Sequence, residues 1–128
     1  MKERVTVAVV WHGGPPGLRV GVDVVRRGRL QSSFDRFGPR FARTIFHPRE
    51  DAAISDDPER CFAAKEALVK ALGIGIVSGV ELTDIDTAKA NEIEVHGTLR
   101  LVFSALDWRS WMAPLDTAHS VGAVVWVG

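Results

Sequence analysis

The chain has 128 residues, 46% of them hydrophobic and 25% charged, with a formal net charge of zero. That size and balance suit one ordinary globular domain and exclude a disordered tail. Without net charge, no global field recruits nucleic acid or an anionic membrane, so any electrostatic partner must be read by a local patch. One cysteine, Cys61, excludes an internal disulfide, and no paired Cys/His spacing suggests zinc, so a reducing, cytoplasmic setting is expected. The opening apolar run is too short to span a bilayer and lacks a signal-peptide cleavage pattern.

Residues 4–11, "RVTVAVVW", are β-branched and alternating and predict a strand, followed by the turn "HGGPPG". No GK[ST] follows Gly13-Gly14, which favours a plain turn over a phosphate loop. "LRVGVDVV", residues 18–25, predicts a second strand that could pair with the first. From Leu30 to Phe46 the spacing becomes helical, with Phe34, Phe37, Phe41 and Ile45 three or four apart, an apolar stripe expected in the core. Ser32 or Ser33 could cap it, and Gly38-Pro39 must divide it, with Pro39 suited to the first turn of the second piece.

The polar "HPREDAAISDDPER" reads as loop and ends in a helix start, with Asp57 as N-cap and Pro58 at the first position. The helix should run from Pro58 to about Leu72 and stop at Gly73. "VELTDID" and "NEIEVHG" predict a hairpin around "TAKAN", "TLRLVFSALDW" a helix and "SVGAVVWVG" a last strand.

On the helix 58–72, Phe62, Glu66 and Lys70 are four apart and share one stripe, while Ala64, Leu68, Ala71 and Leu72 can face the core. A surface Glu-to-Lys pair would account for that stripe. A second carboxylate changes its meaning. Asp23 lies in the apolar run "VGVDVV", where aspartate is a poor strand former and costly to bury alone. An outward-facing residue on a half-solvated strand is the plain alternative. If Asp23 and Glu66 converge, they make a hard-cation site of the kind Mg2+ uses while taking phosphate oxygens, with Lys65 and Lys70 as point charges.

The ordered set "GVDVV", "RFGPRFARTIF", "RCFAAKEALVKALGIGI" and "VHG" resembles the holo-acyl-carrier-protein synthase group of 4'-phosphopantetheinyl transferases over residues 18–128. The resemblance implies an α+β fold, a mostly antiparallel sheet packed on helices, in a homotrimer whose active sites lie between subunits. It implies transfer of the phosphopantetheine arm from coenzyme A to a serine of an acyl carrier protein in fatty acid or polyketide assembly. On that basis Asp23 and Glu66 hold Mg2+, and Glu66 and Lys70 are catalytic. Lys65, Lys70, Arg60 and Gly73 meet coenzyme A. Arg29, six residues after the aspartate, and Arg26 dock the carrier, within an arginine-rich stretch suited to an acidic helix.

The chain also departs from the family pattern. The usual Ser-x-Ser-His segment is matched by "PLDT", Pro114 to Thr117, with His119 two positions late. The Gly-Lys-Pro hairpin is "AKAN", and the arginine expected five residues before Glu66 is Cys61, with Arg60 beside it. These losses fall on the nucleotide side and leave open a repurposed, non-catalytic module that only binds a carrier protein. His119 could substitute for the missing histidine after a local shift, although it and His96 read more readily as structural, and His12 and His47 carry no assignment.

Overall fold

The computed structural model describes residues 17–50, 57–73, 81–89 and 91–128. The strand expected at residues 4–11, and its pairing, lie outside them. Strand β1 (Arg19–Arg26) leads through a glycine turn into helices α1 (Arg29–Phe37) and α2 (Pro39–Arg43). A 3-10 turn (Pro48–Glu50) and helix α3 (Pro58–Leu72) follow. A second 3-10 turn (Leu82–Asp84) then precedes β2 (Ile85–Asp86), β3 (Glu94–Val95), α4 (Gly97–Leu106), β4 (Ser110–Asp116) and β5 (Ser120–Val127). The fold is α+β, with β1-β5-β4 forming an antiparallel sheet and β2-β3 a small separate ladder among the described residues.

Alternation explains the main sheet. Val121, Ala123, Val125 and Val127 of β5 are fully buried toward α3, with Gly21 and Val25 of β1 beside them. The facing stripe of α3 is small, with Ala64, Ala67 and Leu68 at zero exposure. Small residues let the helix backbone settle onto the strand, and Gly21 makes the approach possible. A Cβ there would overlap the Ala67 carbonyl and stand 2.7 Å from the Ala71 nitrogen. Phe103 and Leu99 of α4 complete this core. Each large apolar side chain so buried contributes about 1.5–3 kcal/mol. A second cluster, Leu30, Ile45, Phe46 and Cys61, lies under α1 and α2.

Several expectations need correcting. Neither Ser32 nor Ser33 caps α1; the helix begins earlier, at a left-handed Gly28 (φ 82°) with no side-chain cap. The aromatic stripe is only partly core. Phe34 packs edge-on against Phe41 and Phe46, but Phe37 is 59% exposed, because Gly38 turns the chain before the stripe is fully covered. The two β runs around "TAKAN" shrink to two residues each, since residues 82–84 form a 3-10 turn. Strand β4 was not anticipated from the sequence. Pro114 interrupts its pattern, yet among the described residues β4 pairs only with β5 in the main sheet, and an edge strand tolerates a missing donor.

Candidate active site

Helix α3 carries the site because its ends are fixed. The Asp57 side chain accepts from the Arg60 backbone N–H at 3.3 Å, Pro58 occupies the first turn, and Gly73 closes the helix at φ 69° with its N–H directed to Val69 and Lys70 carbonyls. Successive residues of a helix stand about 100° apart. Lys65 and Glu66, adjacent in sequence, therefore end in different environments.

Glu66 and Asp23 line one cleft of about 400 Å³, together with Arg29, Ser33, Phe41 and Phe62. Asp23 reaches it from β1, opposite Ala123 of β5, on the face turned toward α3. Lys70, one turn beyond Glu66, donates to Asp23 Oδ1 at 2.6 Å and approaches the Val22 carbonyl at 3.4 Å. Partial burial pushes the Glu66 carboxyl above its usual range, the negative charge of Asp23 adds to the rise, and Lys70 offsets part of it. Two carboxylates in one cleft, with one exposed ammonium between strand and helix, suit a divalent cation.

The predicted residues divide accordingly. Asp23, Glu66 and Arg29 line the cleft and Lys70 joins them by pairing with Asp23, whereas Arg26, exposed at the end of β1, is not among the lining residues. Lys65 does not meet them. Its side chain is fully buried and donates to Glu50 Oε1 at 2.6 Å, to the Leu82 carbonyl at 3.0 Å and to the Ile85 carbonyl. Its ammonium is an interior tie held by three acceptors, and it does not face the cleft as the resemblance implies. Burial pushes its pKa down while Glu50 pulls it up. Arg60 pairs with Asp57 at 3.1 Å and with Asp116 at 2.8 Å, so its guanidinium is already engaged. Gly73 serves as the helix stop. His119 is exposed in the turn between β4 and β5, where its carbonyl accepts from the Arg27 N–H.

One contributor escaped the sequence. Glu59 is 5% exposed, and its Oε1 accepts from the Gly28 N–H at 2.5 Å, pinning the turn from which Arg29 projects. Only its first-turn place on α3 was visible in advance.

A family model for the 4'-phosphopantetheinyl transferase superfamily matches residues 19–124, and the chain belongs to that superfamily. Within it the chain sides with the holo-acyl-carrier-protein synthases. It is 34% identical over 114 residues to the enzyme so named from Solidesulfovibrio magneticus, covering 83% of this chain and 93% of that one. The crystal structure of the Neisseria meningitidis holo-acyl-carrier-protein synthase is similar at a TM-score of 0.67 and 27% identity, covering 85% and 94% of the two chains. That of the Helicobacter pylori protein in complex with coenzyme A has a TM-score of 0.66 at 24% identity, over 84% and 96%, and supports the fold.

Proposed function

We propose that the chain moves the 4'-phosphopantetheine arm of coenzyme A to a serine hydroxyl of an acyl carrier protein, with Mg2+ held by Asp23 and Glu66. The observation that carries this reading is the presence of both carboxylates in one cleft with Lys70 at its rim. In the reaction the serine oxygen attacks the phosphorus on the pantetheine side of the diphosphate. The bond from that phosphorus to the leaving oxygen breaks, adenosine 3',5'-bisphosphate departs, and the serine proton passes to a base. Such a step needs charge neutralisation and in-line placement more than covalent help. A Mg2+ ion bound there supplies neutralisation of the diphosphate charge.

The chain's own residues do the rest. Lys70 is 55% exposed and long, so it passes from Asp23 to a phosphate oxygen when the cleft fills. Glu66, beside the bound diphosphate, receives the serine proton directly or through water. Arg29 lines the same cleft and offers positive charge to an acidic carrier helix, with the exposed Arg26 at the end of β1 as a second contact. Buried Cys61 fits a reducing compartment, and we place the reaction in the cytoplasm.

We propose that the chain assembles as a homotrimer, and the sheet supports association between copies. Its face away from α3 is apolar, with Val22 and Val24 of β1, Val124 and Trp126 of β5, and Trp111 and Leu115 of β4, none fully buried. A second copy is the natural cover for such a face, and a shared site gives coenzyme A more wall than one short chain offers. Light scattering at micromolar concentration should return three times the chain mass; a monodisperse monomer would count against assembly.

The central test is incubation with coenzyme A, Mg2+ and a panel of apo carrier proteins, read by intact mass. Arm addition is expected for the wild type and a loss of at least roughly 100-fold for Asp23→Ala and Glu66→Ala with the fold retained. Carriers that stay apo while a known transferase modifies them would defeat the enzyme reading. One observation favours a second reading, a carrier-binding module without catalysis. Asp116, within the "PLDT" stretch, neutralises Arg60 on the side where a nucleotide would need positive charge. Calorimetry separates the two, since the module binds acidic carrier but shows no Mg2+-dependent coenzyme A binding.

A further inference from the structure

His47 and His96, to which the sequence assigns no chemistry, converge on one buried carboxylate. His47 comes from the turn after α2, Asp86 from β2, and His96 immediately precedes α4. Asp86 is 2% exposed; its Oδ1 is held by the Ala88 N–H at 2.9 Å, and its Oδ2 faces His96 Nε2 at 3.2 Å and His47 Nδ1 at 3.7 Å. One ligand atom from each of the three residues lies within 4.8 Å of the others. Both imidazoles keep an open edge, at 22% and 27% exposure, so an ion can enter from solvent.

We propose that His47, Asp86 and His96 bind a divalent first-row transition metal ion, zinc or its neighbours, at a site sharing no residue with the Asp23–Glu66 cleft. Two imidazoles and a carboxylate are the donor types such ions select, whereas Mg2+ favours oxygen alone. The carboxylate is already oriented from behind by Ala88, the kind of outer support that metal-binding carboxylates receive.

Arg49 marks the place of the cation. Its guanidinium stands between Asp86 Oδ2, 3.6 Å from Nε, and Glu94 Oε2, 3.3 Å from NH1. At 55% exposure it can swing away, leaving Asp86 and the Lys89-paired Glu94 to favour an incoming positive ion. Binding also requires local adjustment. The two rings stack at 4.3 Å and 12°, side by side, and His47 Nδ1 accepts from the Arg49 backbone N–H at 3.1 Å. One ring must turn about its Cβ–Cγ bond, and the donors must close to about 3.3 Å, the separation set by four bonds of about 2.0–2.1 Å in a tetrahedron. The ion would then tie the His47 turn to the Asp86 and His96 segments, which main-chain bonds of the β2-β3 ladder and from the His96 N–H to the Asp84 carbonyl already join.

The test is calorimetry of chelator-stripped full-length protein with Zn2+, and visible absorption with Co2+, whose bands report nitrogen and oxygen ligation. One ion per chain is expected, with a rise in unfolding temperature and affinity falling as protons compete at lower pH. His96→Ala and His47→Ala should each weaken binding by at least the roughly 10–100-fold that loss of an outer-shell partner costs. Arg49→Ala, which removes a competing cation and leaves every proposed ligand, should tighten it, so the proposal does not depend on the histidine variants folding well. Asp23→Ala should leave Zn2+ binding unchanged, whatever becomes of transfer activity. Binding absent at millimolar Zn2+, unchanged in His96→Ala, or lost in Arg49→Ala would overturn the site.

Discussion

The two flanks of α3 place charge to opposite ends. On the inner flank Lys65 is sealed against Glu50, whose oxygens also accept from the His47 N–H at 2.7 Å and the Thr87 N–H at 3.1 Å. On the outer flank Glu66 lines a cleft and the half-exposed Lys70 pairs with Asp23 beside it. The inner charges are saturated and therefore fixed, whereas the outer ones are under-neutralised and able to change partners. A buried pair stabilises little compared with an apolar one, yet losing one member is costly. An open pair is cheap to break and free to meet a substrate.

Breaking the inner flank gives the largest effect. Lys65→Met strands the Glu50 carboxylate in the interior and should cost about 3–5 kcal/mol by denaturant unfolding. Adding Glu50→Gln should recover part of that loss. A Lys65→Met protein of undiminished stability would mean the inner pair is not the anchor described. Next comes the contact that sets the depth of the cleft. Gly21→Ala inserts a methyl against the Ala67 carbonyl, forcing helix and strand apart at about 1–3 kcal/mol, and should lower transfer activity with it by moving Asp23 from Glu66.

How far these flanks were legible in the sequence follows from the range of the signals. Both ends of helix α3 were readable, because Asp57, Pro58 and Gly73 are local cap chemistry. The placement of Asp23 against α3 was readable as a cost, since an aspartate in a valine run demands a partner; Lys70 is that partner. The fate of Lys65 was not readable. Its acceptors come from Glu50, in a stretch that looks like loop, and from carbonyls at Leu82 and Ile85. Such partners leave no periodic trace. The same holds for His47 and His96, 49 positions apart in the chain and stacked in the fold. Strand β4 was hidden by Pro114, which lacks a ladder donor and breaks the alternation a strand would show.

A smaller effect sharpens the outer flank. The Glu66 proton affinity is raised in the folded state, first by burial and then by Asp23, above an ordinary value of 4.5. At neutral pH the folded protein thus carries the charge at a cost that the unfolded chain avoids, and stability is regained as pH falls through the raised pKa. Glu66→Gln should therefore raise the unfolding temperature at pH 7 by roughly 1–3 °C, with the gain vanishing on acidification, although activity is lost. A Gln variant less stable than wild type at pH 7 would show that Glu66 is a structural anchor like Lys65.

The smallest change in stability belongs to the ion pair at the α3 N-terminus. Arg60 is 23% exposed and Asp116 49%, so their bond should be worth less than about 1 kcal/mol. Its functional consequence has the opposite direction from every substitution above. Asp116→Ala leaves Arg60 with Asp57 alone, 3.1 Å away, and returns part of its charge to the surface. If that surface receives the phosphates of coenzyme A, the freed guanidinium should lower the KM for coenzyme A by up to about fivefold, the equivalent of about 1 kcal/mol, with kcat unchanged. Arg60→Ala should raise it. Identical KM values across wild type and both variants would assign the pair to scaffolding and leave Lys70 to meet the phosphates without it.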